Sequence, residues 1–127
     1  MQYEAVTSGE DAVERIRDLS LEEDPEEFVE GLVHSATAST IITGNQCDAA
    51  PPGTRVYNQR FWSPYWHNHV RDCVRGGVAE ELMPLEQYYF RHDRGLFWVM
   101  EQATPVMNTW YIRLLFGWAL NSRLFHL

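Results

Sequence analysis

A stretch rich in turn-forming residues, Gly44–Asn58, divides this chain into two halves with different sequence patterns. It contains Pro51-Pro52-Gly53, which disfavours both a helix interior and a central strand. Residues before it follow strand and helix patterns in turn, whereas residues after it show mainly helical spacing. The sequence therefore predicts α+β architecture within one domain: an α+β half-layer over residues 1–44, a loop over residues 45–60 and a mainly helical part over residues 61–127.

The first half has the pattern strand, helix, strand, strand. Gln2–Val6 is typical of a short strand, and Thr7–Glu10 of a capping box in which the threonine accepts a backbone hydrogen bond. Apolar residues then recur at helical spacing and predict one buried stripe: Ala12, Val13, Ile16 and Leu19. Phe28–His34 and Ala38–Thr43 flank a short polar turn and predict a hairpin. This order is half of a ferredoxin-like layer, whose unpaired sheet edge should seek further strands.

The second half contains three predicted helices. Ser63-Pro64 is a suitable start for the first, which runs to Arg75 and stops at Gly76-Gly77. Phe97–Gln102 belongs to a second helix. The third begins near Asn108 or Thr109 and carries many aromatic and aliphatic side chains.

The charge of the chain is acidic and unevenly distributed. Of 127 residues, 18 are Asp or Glu and 10 are Lys or Arg, giving a formal net charge of −8. The first 50 residues hold 12 of the acidic and 2 of the basic residues. An acidic leading half argues against a nucleic-acid partner, because phosphate binding needs a basic face. The amino-terminal stretch has no signal-peptide pattern, and no window approaches the length of a membrane span.

The sequence lacks the residue patterns of several kinds of site, among them metal, pyrophosphate and hydrolase sites. The two cysteines, Cys47 and Cys73, are expected to be free thiols. His67, His69 and Cys73 lie close in sequence, but three donors from one helix cannot enclose zinc, so we predict no metal site. The sequence has no Gly-x-Gly-x-x-Gly fingerprint, no P-loop and no Gly-x-Ser-x-Gly elbow. Pyrophosphate binding and independent hydrolase chemistry therefore have no support.

The segment Tyr88–Trp98 mixes tyrosines, arginines and a histidine with large aromatic residues, directly after the apolar run Leu82–Leu85. Burial of the polar side chains costs free energy, and so does exposure of the large aromatic ones to water. This combination favours a partly desolvated polar site with aromatic walls. The alternative is an aromatic-rich core edge in which Arg91 and Arg94 form ordinary ion pairs.

The same segment resembles a known family. Its pattern, Pro-Leu-x-x-Tyr-Tyr-x-Arg-His-x-Arg-x-x-Phe-Trp, is similar to one in the delta(24)-sterol reductases, which are FAD-linked oxidoreductases. Tyr3–Val6, Phe28–Leu32, Ile41–Gly44 and Tyr111–Trp118 resemble further pieces of that family in the same order. The resemblance implies a partial substrate (cap) domain, with the flavin-binding domain missing from this chain. Two departures are Glu86-Gln87, where basic residues are common, and Val106-Met107-Asn108, where the family has Phe-Gly after the proline.

The resemblance also implies a reaction and a set of roles. The family reduces a sterol side-chain double bond with NADPH through FAD, which requires a hydride on one carbon and a proton on the other. The implied catalytic residues are Tyr88, Tyr89, Arg91 and His92. Arg94 is implied in cofactor binding, and Phe90, Phe97 and Trp98 in substrate binding. The implied partners are the sterol and the missing flavin-binding domain, with the endoplasmic reticulum membrane as location. The aromatic last helix fits either a core or domain interface or contact with a membrane surface.

Two other functions stay open at this point. The chain fits a stand-alone, non-catalytic interaction module that binds a partner through its sheet edge and aromatic helices. It also fits the cap of a related flavin oxidase with a non-sterol substrate, because cap domains change substrate more readily than fold.

Overall fold

The computed structural model describes residues 1–92 and 109–121, with side chains as far as residue 115 in the last helix. The described elements are β1 (Gln2–Val6), α1 (Gly9–Ser20), β2 (Phe28–Ser35), β3 (Ala38–Gly44), α2 (Trp66–Arg75), α3 (Leu85–Tyr89) and α4 (Trp110–Asn121). Among these residues, no helix is long and apolar enough to cross a membrane. The predicted helix at Phe97–Gln102 lies outside the described residues.

The predicted strand–helix–strand–strand order is confirmed. β3 lies between β1 and β2 and pairs with both in antiparallel register, so that Tyr3 lies opposite Ile42 and Gly31 opposite Ile41. A third strand inserted between the two that flank a helix is the split β-α-β arrangement of ferredoxin-like layers. The mixed α+β class is therefore correct for residues 1–44.

Helix α1 packs its apolar stripe on this sheet. Ala12, Leu19 and Ile41 are buried together, and Ile16 packs against them. A Cβ atom at Gly31 would lie 2.9 Å from the Ile16 Cδ1 atom, so the missing side chain at this position lets helix and strand approach. Val13 departs from the prediction, because its side chain is 68% exposed. The stripe is narrower than predicted and excludes Val13.

The N-cap of α1 is one residue later than predicted. Ser8, with extended backbone, accepts a hydrogen bond from the Asp11 backbone N–H at 3.1 Å, and the helix begins at Gly9. The predicted cap, Thr7, is wrong. Thr7 and Ser8 provide two adjacent hydroxyl groups that could cap α1. Which of them does so depends on the residue at which strand β1 ends.

We expect Ser8→Ala to lower the free energy of unfolding by about 1 kcal/mol, because the Asp11 N–H loses its acceptor. Thr7→Ala is the matched control, and a change of under about 0.5 kcal/mol is expected for it. Urea unfolding followed by circular dichroism measures both. A larger loss for Thr7→Ala would restore the cap predicted from sequence.

The sheet edge beside β1 is not open. The Tyr3 N–H donates to the Ala79 carbonyl at 2.8 Å, and the Glu81 N–H donates to the Met1 carbonyl at 3.0 Å. On its other side the same segment, residues 79–82, exchanges hydrogen bonds with residues 55–57. The expectation that the edge of the half-layer would pair with further residues is therefore met on this side, where residues from the second half of the chain supply the partner.

Helix α2 begins at Trp66, two residues after Pro64, the first helical residue that the sequence predicted. The Ser63 hydroxyl accepts from the Arg60 N–H at 2.9 Å and the Ser63 N–H donates to the Arg60 carbonyl, which closes a turn before the helix. The predicted end is confirmed: α2 stops at Arg75 and Gly77 adopts a φ of +73°, a conformation that favours glycine. This turn sends the chain back toward β1.

Contacts group the described residues into two compact units. One comprises residues 1–57 and 67–85; the other comprises residues 58–66 and the described residues from 86 onward. Within the second unit, the Gln59 N–H donates to the Gln87 side chain at 2.6 Å, and the Arg113 Nε donates to the Trp62 carbonyl at 3.2 Å. Helix α4 begins within two residues of its predicted start.

Candidate functional site

A buried carboxylate, Glu81, forms the centre of a polar cluster in the first unit. Its side chain is fully buried, and one oxygen, Oε1, accepts hydrogen bonds from two directions. The Tyr3 hydroxyl donates to it at 2.6 Å, and the His69 Nε2 atom lies 2.6 Å away. The cluster therefore connects β1, α2 and the 79–82 segment through a single oxygen atom.

Three local structures place these side chains together. Tyr3 is on the face of β1 that points inward, as its burial shows. His69 and Cys73 are four residues apart on α2, so they share one helix face, as their spacing predicted. Glu81 follows the Gly77 turn, and its backbone N–H and carbonyl are both hydrogen-bonded to Met1.

Two further groups surround Glu81. The Tyr57 ring stacks on the His69 imidazole with centroids 3.6 Å apart and planes inclined by 16°, which fixes the orientation of the imidazole. Arg55 Nε lies 3.8 Å from the second carboxylate oxygen, Oε2, and the arginine side chain is 56% exposed. Oε2 is buried and accepts no hydrogen bond among the described residues.

The cluster keeps its carboxylate ionised. Burial by itself would raise the pKa of Glu81, but hydrogen bonds from His69 and Tyr3, with the positive charge of Arg55, outweigh it and lower that pKa. Burial, reinforced by the hydrogen bond to Glu81 and its negative charge, raises the pKa of Tyr3 well above its ordinary value. Tyr3 therefore stays protonated and serves as a hydrogen-bond donor.

Cys73 is the remaining member of the cluster. Its Sγ atom lies 3.4 Å from His69 Nε2. Burial and the charge of Glu81 raise the pKa of the Cys73 thiol to about 11. Because a nucleophilic cysteine needs a thiolate at neutral pH, this pair does not work as a cysteine–histidine nucleophile in its present state. The other cysteine, Cys47, is exposed, and both are free thiols, as predicted.

The structure separates the predicted catalytic residues into buried and exposed ones. In the second unit, Tyr88 is buried near the end of α3, and the Arg91 guanidinium lies 3.9 Å from its ring centroid. Arg91 also donates from Nη1 to the Tyr88 carbonyl. Tyr89 is 57% exposed and His92 is exposed. Tyr88 and Arg91 thus pack together, whereas Tyr89 and His92 face outward.

The predicted substrate and cofactor residues are only partly described. Phe90 is 59% exposed and follows α3 directly. Arg94, Phe97 and Trp98 lie outside the described residues. Their implied roles therefore stay predictions.

Sequence reasoning missed the Glu81 cluster, although it noted two of its members. His69 and Cys73 were paired by their helical spacing, but Glu81 stands in Ala-Glu-Glu-Leu-Met, where nothing distinguishes it from Glu80. Its partner Tyr3 is 78 positions away in the chain.

The known proteins that this chain resembles in sequence all belong to one family. The chain is 33% identical over 98 residues to the Delta(24)-sterol reductase of Homo sapiens, a match covering 76% of this chain and 19% of that protein. It is 29% identical over 101 residues to the Arabidopsis thaliana Delta(24)-sterol reductase, covering 76% of this chain and 18% of that protein. It is 28% identical over 95 residues to a Caenorhabditis elegans homolog, covering 72% of this chain.

No family model and no solved structure matches the chain. A continuous stretch of about three quarters of the chain must include its middle, so the matched part contains His69, Glu81 and Tyr88–His92. The chain spans about a fifth of the length of the relatives it matches. By sequence, it belongs to the delta(24)-sterol reductase family, as the counterpart of a segment of those proteins.

Proposed function

We propose that this chain supplies part of the substrate (cap) domain of an FAD- and NADPH-dependent, delta(24)-sterol reductase-like oxidoreductase. The observation that carries the proposal is the match to the human reductase, 33% identical over 98 residues. The split β-α-β layer supports it, since such a layer is a stable platform on which a site can be built. The proposed location is the endoplasmic reticulum membrane.

The residues of this chain do not fit a complete flavin site. The sequence lacks the glycine-rich fingerprint that binds a dinucleotide pyrophosphate. In the Tyr88–His92 part of the block, the arginine guanidinium is held against the Tyr88 ring and carbonyl. We therefore propose that flavin is bound by sequence other than these residues, and we assign no step of hydride transfer to them.

The exposed members of the block are proposed to face the substrate. Reduction of an isolated double bond needs a proton donor that can reach one of its carbons. Tyr89 and His92 carry exchangeable protons and are exposed, whereas Tyr88 is buried beneath Arg91. We assign proton donation to Tyr89 or His92, and we assign to Tyr88 and Arg91 the positioning of α3 and the residues after it. The exposed Phe90 ring is proposed to contact the apolar sterol.

The isolated chain provides a first test of this division of labour. The purified 127-residue protein is expected to stay colourless after mixing with FAD and gel filtration, and to reduce no sterol. Absorbance of the protein fraction at the flavin band measures the first outcome, and sterol analysis the second. Stoichiometric FAD retained by this chain would contradict the proposal that flavin is bound by other sequence.

A further inference from the structure

Three chemically different metal donors meet in the buried cluster of the first unit. One ligand atom each from His69, Cys73 and Glu81 lies within 4.8 Å of the other two, and all three residues are buried. Two of them, His69 and Cys73, come from α2, and the third comes from the 79–82 segment beyond the Gly77 turn. His67, His69 and Cys73 all lie on one helix, whereas Glu81 is a donor from outside that helix.

We propose that His69, Cys73 and Glu81 form a binding site for one Zn²⁺ ion. Imidazole nitrogen, thiolate sulfur and carboxylate oxygen are the three ligand types that zinc takes in proteins. His67, the other histidine considered from sequence, is not part of the cluster.

Two of the three donor distances suit a zinc ion after a small adjustment, and the third pair, Cys73 and Glu81, lies within 4.8 Å. Bonds of about 2.0–2.3 Å in a tetrahedron hold neighbouring ligand atoms about 3.3–3.6 Å apart. Cys73 Sγ lies 3.4 Å from His69 Nε2, already at that separation. The His69 Nε2–Glu81 Oε1 distance is 2.6 Å, because a hydrogen bond joins the two atoms. Replacing the shared proton with zinc requires these atoms to separate by less than about 1 Å.

The surroundings provide the supporting contacts of a metal site. Tyr57 stacks on the His69 ring and Tyr3 donates to the Glu81 carboxylate, so two of the three ligands are held in place by neighbours. The buried Oε2 atom, which accepts no hydrogen bond among the described residues, is available as a second carboxylate ligand atom.

The charges balance on zinc binding. A thiolate and a carboxylate together neutralise Zn²⁺, and the thiol releases its proton as the metal binds. The positive charge of Arg55, whose Nε lies 3.8 Å from Oε2, repels a metal cation. The Arg55 side chain is 56% exposed, however, and can turn toward water. The net charge of −8 favours cation binding overall.

Cobalt titration of the whole chain tests the site, because a thiolate bound to Co²⁺ gives a sulfur-to-metal absorption band. We expect the unchanged chain to bind one Co²⁺, which Zn²⁺ displaces. The absorption band should be lost in Cys73→Ser, and the affinity for Co²⁺ should be at least tenfold weaker in His69→Gln. The matched controls are Cys47→Ser and His67→Gln, which should titrate like the unchanged chain. Circular dichroism confirms that each variant is folded.

Two results would overturn the proposal. The first is no sulfur-to-cobalt band in the unchanged, folded chain. The second is a band that survives Cys73→Ser but disappears in Cys47→Ser, which would place the metal at the exposed cysteine. If Cys73→Ser does not fold, His69→Gln against His67→Gln decides between these outcomes.

Discussion

Replacing Glu81 with alanine is expected to lower the free energy of unfolding by about 3–5 kcal/mol, the largest stability effect of any single exchange considered in this chain. The side chain is fully buried and accepts from the Tyr3 hydroxyl and His69. Its removal takes away the carboxylate to which these two buried polar side chains are hydrogen-bonded and opens a cavity among β1, α2 and the 79–82 segment. Glu81→Gln keeps the volume and one acceptor, so we expect a smaller loss.

The adjacent glutamate provides the control for this prediction. Glu80 is exposed, and Glu80→Ala should change the free energy of unfolding by less than about 0.5 kcal/mol. Urea titration of the three variants beside the unchanged chain, at one pH and without added metal, gives the comparison. Equal effects at positions 80 and 81 would mean that the buried carboxylate does not join the three elements.

Removing the proposed proton donor, Tyr89 or His92, is expected to have the largest effect on activity. The test uses the human reductase with its matching segment replaced by this whole chain, which we call the exchange enzyme. Loss of a general acid typically lowers turnover by about 10²–10⁴-fold. We expect Tyr89→Phe or His92→Gln to lower kcat of the exchange enzyme by that amount while KM for the sterol changes little.

Other tyrosine variants separate chemistry from structure. Tyr88→Phe removes a hydroxyl from a buried ring without removing the surface on which Arg91 rests, so we expect a change in kcat of less than about tenfold. Tyr111, which is 46% exposed on α4, controls for loss of an exposed tyrosine hydroxyl. If neither Tyr89→Phe nor His92→Gln lowers kcat beyond Tyr111→Phe, the proton donor lies elsewhere.

The first half of the fold was predictable because its signals are local. Strand alternation in β1, the hydroxyl-rich start of α1 and the short turn between β2 and β3 each depend on a few neighbouring residues, and the element order followed from them. The errors there were also local. Ser8 caps α1 in place of Thr7, and Val13 is exposed, because a stripe pattern does not fix the width of the buried face.

The Glu81 cluster was not predictable because its contacts join distant parts of the chain. The carboxylate binds Tyr3 across 78 positions and His69 across 12. Such pairs are set by the path of the chain after Gly77 and by pairing of the 79–82 segment with β1, which no short pattern encodes. In the Tyr88–His92 block the sequence predicted the residue types of a site but not which of them are buried, since adjacent residues of α3 such as Tyr88 and Tyr89 differ in burial.

Sterol reduction by the exchange enzyme tests the central claim most directly. If this chain is the functional counterpart of the matching segment, the exchange enzyme should reduce the delta(24) double bond of a sterol at a measurable fraction of the human enzyme's rate. An exchange enzyme carrying a shuffled version of the segment should be inactive. Circular dichroism and thermal unfolding establish which proteins are folded. A folded exchange enzyme that produces no reduced sterol would contradict the claim.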